Sequence, residues 1–132
     1  MIKNKIGIKT VTSTFTIELG KVKEFALALG DSNPAYETGD SLPPTFATVI
    51  DFWSGGDSLG ELLELNMEKV LHGGQDFEYV GKIKPGDVIT TEGEVENAYT
   101  KAGMNFYVLK KMYYNQHGDL VLISRSNIIE RH

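Results

Sequence analysis

The spacing of apolar residues changes along this chain, and each change marks a new element. Phe15, Ile17 and Leu19 alternate with Thr14, Thr16 and Glu18, which predicts a short strand with one buried face, ended by Gly20. From Lys21 the period switches. Val22, Phe25, Ala26 and Leu29 fall at i, i+3, i+4 and i+7 and share one helical face, with Gly30 where a C-terminal glycine is expected. Residues 1–12 and 37–42 are polar and read as loops. Pro43-Pro44-Thr45 opens a second apolar segment, in which Phe46, Val49, Ile50 and Trp53 again have helical spacing. Proline suits a first helical turn, so a largely buried helix is expected over residues 44–53; the short β-branched run leaves a strand as the alternative. Gly55-Gly56 interrupts it, and Asp57 and Ser58 can cap a further helix whose Leu59, Leu62 and Leu63 share a face.

From Val70 onward the pattern is β. Alternation puts Leu71, Phe77 and Tyr79 on one face, and His72, Asp76 and Glu78 on the other. Lys84-Pro85-Gly86-Asp87 is a type II turn signal. Long strands follow over 88–100, 104–115 and 120–129, joined by Lys101-Ala102-Gly103 and by Gln116-His117-Gly118-Asp119. Such regular turns predict an antiparallel meander. Tyr107, Leu109 and Tyr113 oppose Phe106, Val108 and Met112, so both sheet faces are apolar; a helix is expected over one and a second subunit over the other. The order of elements predicts a single α+β domain over residues 1–132, a curled antiparallel sheet wrapped around a central helix.

Composition narrows the function. Hydrophobic content of 41% and charged content of 23% are ordinary for a globular domain. The absence of cysteine excludes disulfides, a thiol nucleophile and a cysteine zinc site, and is compatible with a cytoplasmic setting. No run reads as a signal peptide or a membrane span. A net charge of −5 argues against nucleic acid as a partner.

The candidate chemistry centres on Ala28-Leu29-Gly30-Asp31-Ser32-Asn33-Pro34-Ala35-Tyr36. Gly30 can take a positive φ, Asp31 and Asn33 can bond nearby amides, and Pro34 blocks continuation of the helix. Two readings stand: a helix C-terminus with its loop, or a loop of catalytic origin.

The stretch resembles the hydratase signature of the MaoC-like (R)-specific enoyl-CoA hydratases, which runs Gly-Asp-x-Asn-Pro-x-His. Pro43-Pro44-Thr45-Phe46, the run Val70-Leu71-His72-Gly73-Gly74-Gln75-Asp76-Phe77-Glu78-Tyr79, Lys84-Pro85-Gly86-Asp87 and the ending Gly118-Asp119-Leu120-Val121 through Ser124-Arg125-Ser126 resemble the N-terminal-type MaoC domain, also called the FAS1-like dehydratase domain. The resemblance spans nearly the whole chain in order. It implies a hot-dog fold, an acyl-CoA or acyl-carrier-protein thioester as ligand, a homodimer or a heterodimer with a catalytic hot-dog subunit, and no cofactor.

One departure matters. The family's last signature residue is a histidine that pairs with the aspartate, and here it is Tyr36. Hydration of an enoyl thioester needs a group to move the α-proton and a group to handle water. An imidazole titrates near neutrality; a phenol, with a pKa of about 10, does not. Asp31 and Asn33 remain, so half of a dyad is present. This pattern resembles the substrate-holding, non-catalytic subunit of heterodimeric 3-hydroxyacyl-ACP dehydratases.

Three alternatives are implied. A self-sufficient homodimeric hydratase would use Asp31 with His72, the one internal histidine; a backbone-bonded or interface role for His72 is the plainer reading. A non-catalytic thioester-binding protein would have no turnover, and a thioesterase fits the Asn-Pro signature less well. In the active relatives a backbone amide at the start of the central helix polarises the thioester carbonyl, which here falls near Thr45 or Phe46; simple helix initiation explains the same residues. Phe46, Ile50, Phe52 and Trp53 line either an acyl tunnel or the core, and Lys82 and Lys84 are phosphate contacts or a solvated turn. His72, Asp76 and Glu78 on one strand face suggest a metal site, but nothing else in the chain has ligand spacing, so no metal is expected.

Overall fold

The computed structural model describes residues 2–9, 12–47, 49–50, 63 and 65–131, with Ile2, Lys3, Met67 and His72 described by their backbone alone. Its strands are β1 (Ser13–Thr16), β2 (Val70–Tyr79), β3 (Val88–Lys101), β4 (Met104–Tyr114) and β5 (Leu120–Arg131). They form one antiparallel sheet in the order β1-β3-β4-β5-β2. Helices α1 (Leu19–Leu29) and α2 (Pro34–Thr38) lie between β1 and β2 in the chain. Of the helix expected over 44–53, residues 47, 49 and 50 are helical and 44–46 form the turn that leads into them; residues 48 and 51–53 lie outside the described residues. Of the expected Leu59–Leu63 helix only Leu63 is described; it is helical and buried.

The register explains the core. Ala98, Tyr107 and Ile128 stand side by side across β3, β4 and β5, are all buried, and pack with Leu63. Further along, Thr91, Tyr113 and Leu122 align in the same way. Phe46, Ala47 and Ile50 pack onto that end together with Val22, Ala26 and Tyr36. The Tyr113 hydroxyl lies 3.3 Å from Ser124 Oγ, which satisfies both groups inside the core. Thr91 is different. Its Oγ1 is buried and has no hydrogen-bond partner among the described residues. Thr91→Val keeps the shape and removes that stranded hydroxyl, so a gain of about 1 kcal/mol in chemical denaturation is expected.

The outer face follows the opposite parity. Glu94, Lys110, Arg125 and Asp76 form one row across β3, β4, β5 and β2, so each base stands beside an acid. A β-bulge between Val95 and Asn97 releases Glu96, whose carboxylate takes Arg125 Nε at 3.1 Å and Lys110 Nζ at 3.9 Å. A second row, Tyr99, Phe106, Ile129 and Leu71, is apolar throughout, with the Tyr99 and Phe106 rings stacked at 5.0 Å. Phe106, Val108 and Met112 are half-buried, as the two-faced apolar pattern predicted.

The long strands and their turns match expectation closely, and the mismatches have local causes. Leu19 and Gly20 belong to the first turn of α1 rather than to the end of β1, because the Lys21 and Val22 amides already bond to Glu18. Residues Ile2–Lys5 form a 3-10 turn, and Lys9 bridges to Glu94 on β3, so the N-terminal stretch is not a plain loop. Gly30 closes α1, and Pro34 opens a second helix, which places Glu37 and Thr38 in α2. Leu71 does not share a face with Phe77 and Tyr79. The register of β2 against β5 slips between His72 and Gly74, so parity inverts there. Gly73 is the inserted residue, and a Cβ on it would lie 2.7 Å from Ile129 Cδ1.

Candidate functional site

The signature segment is built from four successive local bonds. Gly30 takes the left-handed conformation at φ 72°, and its amide bonds to Leu27 while the Asp31 amide reaches back to Ala26 O at 3.0 Å. That paired closure satisfies the last carbonyls of α1. Asp31 Oδ1 then accepts the Asn33 amide at 3.0 Å. Asn33 Oδ1 accepts the Ala35 amide at 3.0 Å, which caps α2 with Pro34 in its first turn. Asp31 and Asn33 thus have structural duties, yet both stay exposed.

Tyr36 points the other way. It is 8% exposed and belongs to the core cluster with Ile17, Val22 and Phe46. Asp31, Asn33 and Tyr36 nevertheless line a common cavity of about 230 Å³, beside Lys23 and Leu27.

A second cleft, of about 160 Å³, lies at the entrance to the central helix. Phe46 and Ile50 form part of its wall, as does Tyr79 at the end of β2. The Tyr79 hydroxyl donates to the carbonyl oxygen of Pro44. Burial pushes the Tyr79 phenol above its usual range, which keeps it a donor. The Phe46 amide donates to Pro43 O at 2.9 Å and closes the entry turn, so in this conformation it is engaged within the chain. Thr45 is exposed and lines neither cleft. The expected residues therefore fall into two groups, Asp31, Asn33 and Tyr36 in one cavity, Phe46 and Ile50 in the other. Trp53 and the side chain of His72 lie outside the described residues; the His72 backbone pairs with Ile128.

Tyr79 was not singled out by the sequence. Alternation put it beside Phe77 on one strand face, but nothing in the pattern signals its reach to Pro44. Asp87, the one buried acid among the described residues, is occupied structurally. It accepts the Lys84 amide at 3.0 Å and Gln116 Nε2 at 3.1 Å, holding two turns together. Lys84 is accordingly part of that turn and Lys82 a wall residue of the Tyr79 cleft. Among the described residues, no three His, Asp or Glu side chains gather as a metal site requires. No described helix is long and apolar enough to cross a membrane.

A curled antiparallel sheet closed over the start of a helix, with the Gly-Asp-x-Asn-Pro segment at the end of the preceding helix, defines a hot-dog domain of the dehydratase type. The family model for the FAS1-like, dehydratase domain region matches residues 4–124, and the chain belongs to that family. It is similar to a UPF0336 protein of Streptomyces griseus, 29% identical over 136 residues that cover 93% of this chain and 91% of that protein. Among solved structures, a MaoC-like dehydratase superposes with a TM-score of 0.83 at 16% identity, over 99% of this chain and 43% of the other. The HadBC (3R-hydroxyacyl-ACP dehydratase) complex of Mycobacterium tuberculosis gives 0.73 at 19% identity, over 95% and 98%. These likenesses show the hot-dog fold.

Proposed function

We propose that this chain is the acyl-thioester-holding subunit of an (R)-specific enoyl-thioester hydratase or 3-hydroxyacyl dehydratase, working beside a second hot-dog subunit that carries an intact Asp-His pair. The observation that carries this reading is Tyr36. A phenol replaces the imidazole of the signature and is packed into the core, while Asp31 keeps its place on the loop. Without an imidazole at this signature position, proton transfer to and from the α-carbon lacks the base that the signature supplies. The rest of the signature is retained because it closes α1 and caps α2. The likeness to a subunit of a 3R-hydroxyacyl-ACP dehydratase complex supports the pairing.

In this reading Asp31 and Asn33 shape the cavity wall, and Phe46, Ile50 and Trp53 contact the acyl group. Thr45 and Phe46 begin the helix over which the thioester lies. The test is loss of enoyl absorbance from crotonyl-CoA in water. The chain alone is expected to give no turnover, and the chain co-purified with a MaoC-type subunit bearing Gly-Asp-x-Asn-Pro-x-His is expected to give it. Turnover by the chain alone, abolished by Asp31→Asn, would instead establish a self-sufficient enzyme. Thioester binding without turnover in any pairing would leave a binding protein, and release of free CoA would mark a thioesterase.

A further inference from the structure

We infer that the outer face of the sheet binds a second copy of this chain, back to back, across a two-fold axis that runs along the row Tyr99, Phe106, Ile129 and Leu71. This contact is separate from both clefts, whose walls contain none of the four, and it does not depend on the thioester-binding reading.

Two β-bulges complete the row. Phe106 and Ile129 reach the outer face by the ordinary alternation of β4 and β5, beside the buried Tyr107 and Ile128. Tyr99 has the parity of the buried Val95. Only the extra residue between Val95 and Asn97 turns it outward and sends Ala98 into the core. Leu71 has the parity of Phe77, and the insertion between His72 and Gly74 turns it outward as well. A bulge disrupts its ladder, and here each one delivers an apolar side chain to the same solvent-side row. Tyr99 is 37% exposed and Leu71 47%, and the Tyr99 and Phe106 rings stack with 5° between their planes. The result is a flat apolar strip that crosses β3, β4, β5 and β2.

The surroundings fit the strip's own two-fold image. Rotation about an axis along the strip lays it on itself and reverses the strands, so each flanking row lands on the opposite one. Lys101, Met104 and Arg131 form the row on one side, and Asn97, Val108 and Asn127 the row on the other. Met104 then meets Val108 and Arg131 meets Asn127. Lys101 reaches the Glu96 carboxylate that the bulge sets beside Asn97, and the symmetry makes each contact twice. Moving the axis by one row would press the strip onto Glu94, Lys110, Arg125 and Asp76 and desolvate those charges, which fixes the register. With strands about 4.8 Å apart and rows about 6.7 Å apart, four strands by three rows give a footprint of roughly 400 Å² per copy. That is below the roughly 800 Å² of a standard interface, so the pair is reversible and depends on concentration.

The experiment is sedimentation velocity of the full chain from roughly 1 to 500 µM, where a monomer–dimer equilibrium is expected with a dissociation constant on the order of 10–100 µM. Tyr99→Lys sets like charges against each other across the axis and is expected to weaken the pair at least about tenfold. The chain has no cysteine, so Tyr99→Cys places one thiol near its copy's. A short bis-maleimide is expected to join the two, whereas Leu27→Cys, equally accessible but on α1, stays unjoined. A chain that remains monomeric throughout overturns the inference. So does self-association that Tyr99→Lys leaves unchanged and that Tyr99→Cys does not trap, because the contact then lies on another face. Loss of pairing with a catalytic hot-dog subunit in Tyr99→Lys, with self-association intact, would make that subunit the occupant and overturn the second copy. Circular dichroism checks that Tyr99→Lys folds, and if it does not, trapping by Tyr99→Cys decides alone.

Discussion

Phe46→Ala is expected to destabilise the domain by about 3–5 kcal/mol, a shift of roughly 15 °C in thermal midpoint. Phe46 is 1% exposed and stands where three parts of the molecule meet. It is in the entry turn of the central helix, it packs with α1 and the sheet in one cluster, and it walls the Tyr79 cleft. Its ring meets Phe25 edge to face, with centroids 5.8 Å apart and planes at 86°. Such a pair adds about 0.5–1.5 kcal/mol to the burial of the rings themselves. Truncation leaves a void next to an existing cleft, so neighbouring side chains have little to collapse against. A urea titration checks the loss, and a double-mutant cycle with Phe25→Ala isolates the ring pair. A cost below about 1 kcal/mol would mean that Phe46 does not anchor the helix entrance to the sheet.

How much of this was legible in the residues depends on whether a feature is local. The meander from Val88 to Arg131 was plain, because turn residues recur between long alternating runs and each strand is defined by its own neighbours. Leu19 was misplaced because its alternation with Glu18 is also compatible with a helix start, and a helix boundary is settled by which carbonyl an amide finds. Leu71 was assigned to the wrong face because a β-bulge leaves no trace in the period of side chains. The only hint was Gly73-Gly74, and the close approach of Ile129 explains why glycine stands there. At the candidate site, the residue types in the Asp31 loop already announced turn and cap chemistry, and the hydrogen bonds follow it. The division into two cavities was not legible, since it depends on how α2 and the 40–47 segment settle against the end of β2.

Tyr36→His restores the signature residue, and two consequences are expected: a loss of roughly 2–3 kcal/mol, and no hydration of crotonyl-CoA by the chain alone. The first follows from place. Tyr36 is a core residue, packed in one cluster with Ile17, Val22, Ala26 and Phe46, and a smaller, more polar ring leaves those contacts unfilled. Burial also disfavours the charged imidazole, which pulls its pKa below about 6.5 and weakens it as a base. The second follows from the division of the site. Even with an imidazole at position 36, Asp31 Oδ1 remains committed to the Asn33 amide, and the apolar wall formed by Phe46 and Ile50 belongs to another cleft. A hydratase needs its base, its water-handling group and its acyl seat on one substrate, and exchanging a single ring does not merge two cavities. Thermal unfolding and the enoyl absorbance assay read the two consequences separately. Turnover in Tyr36→His with an inflection near neutral pH would show that the ring alone had silenced the site, and dependence on a catalytic partner would fall with it.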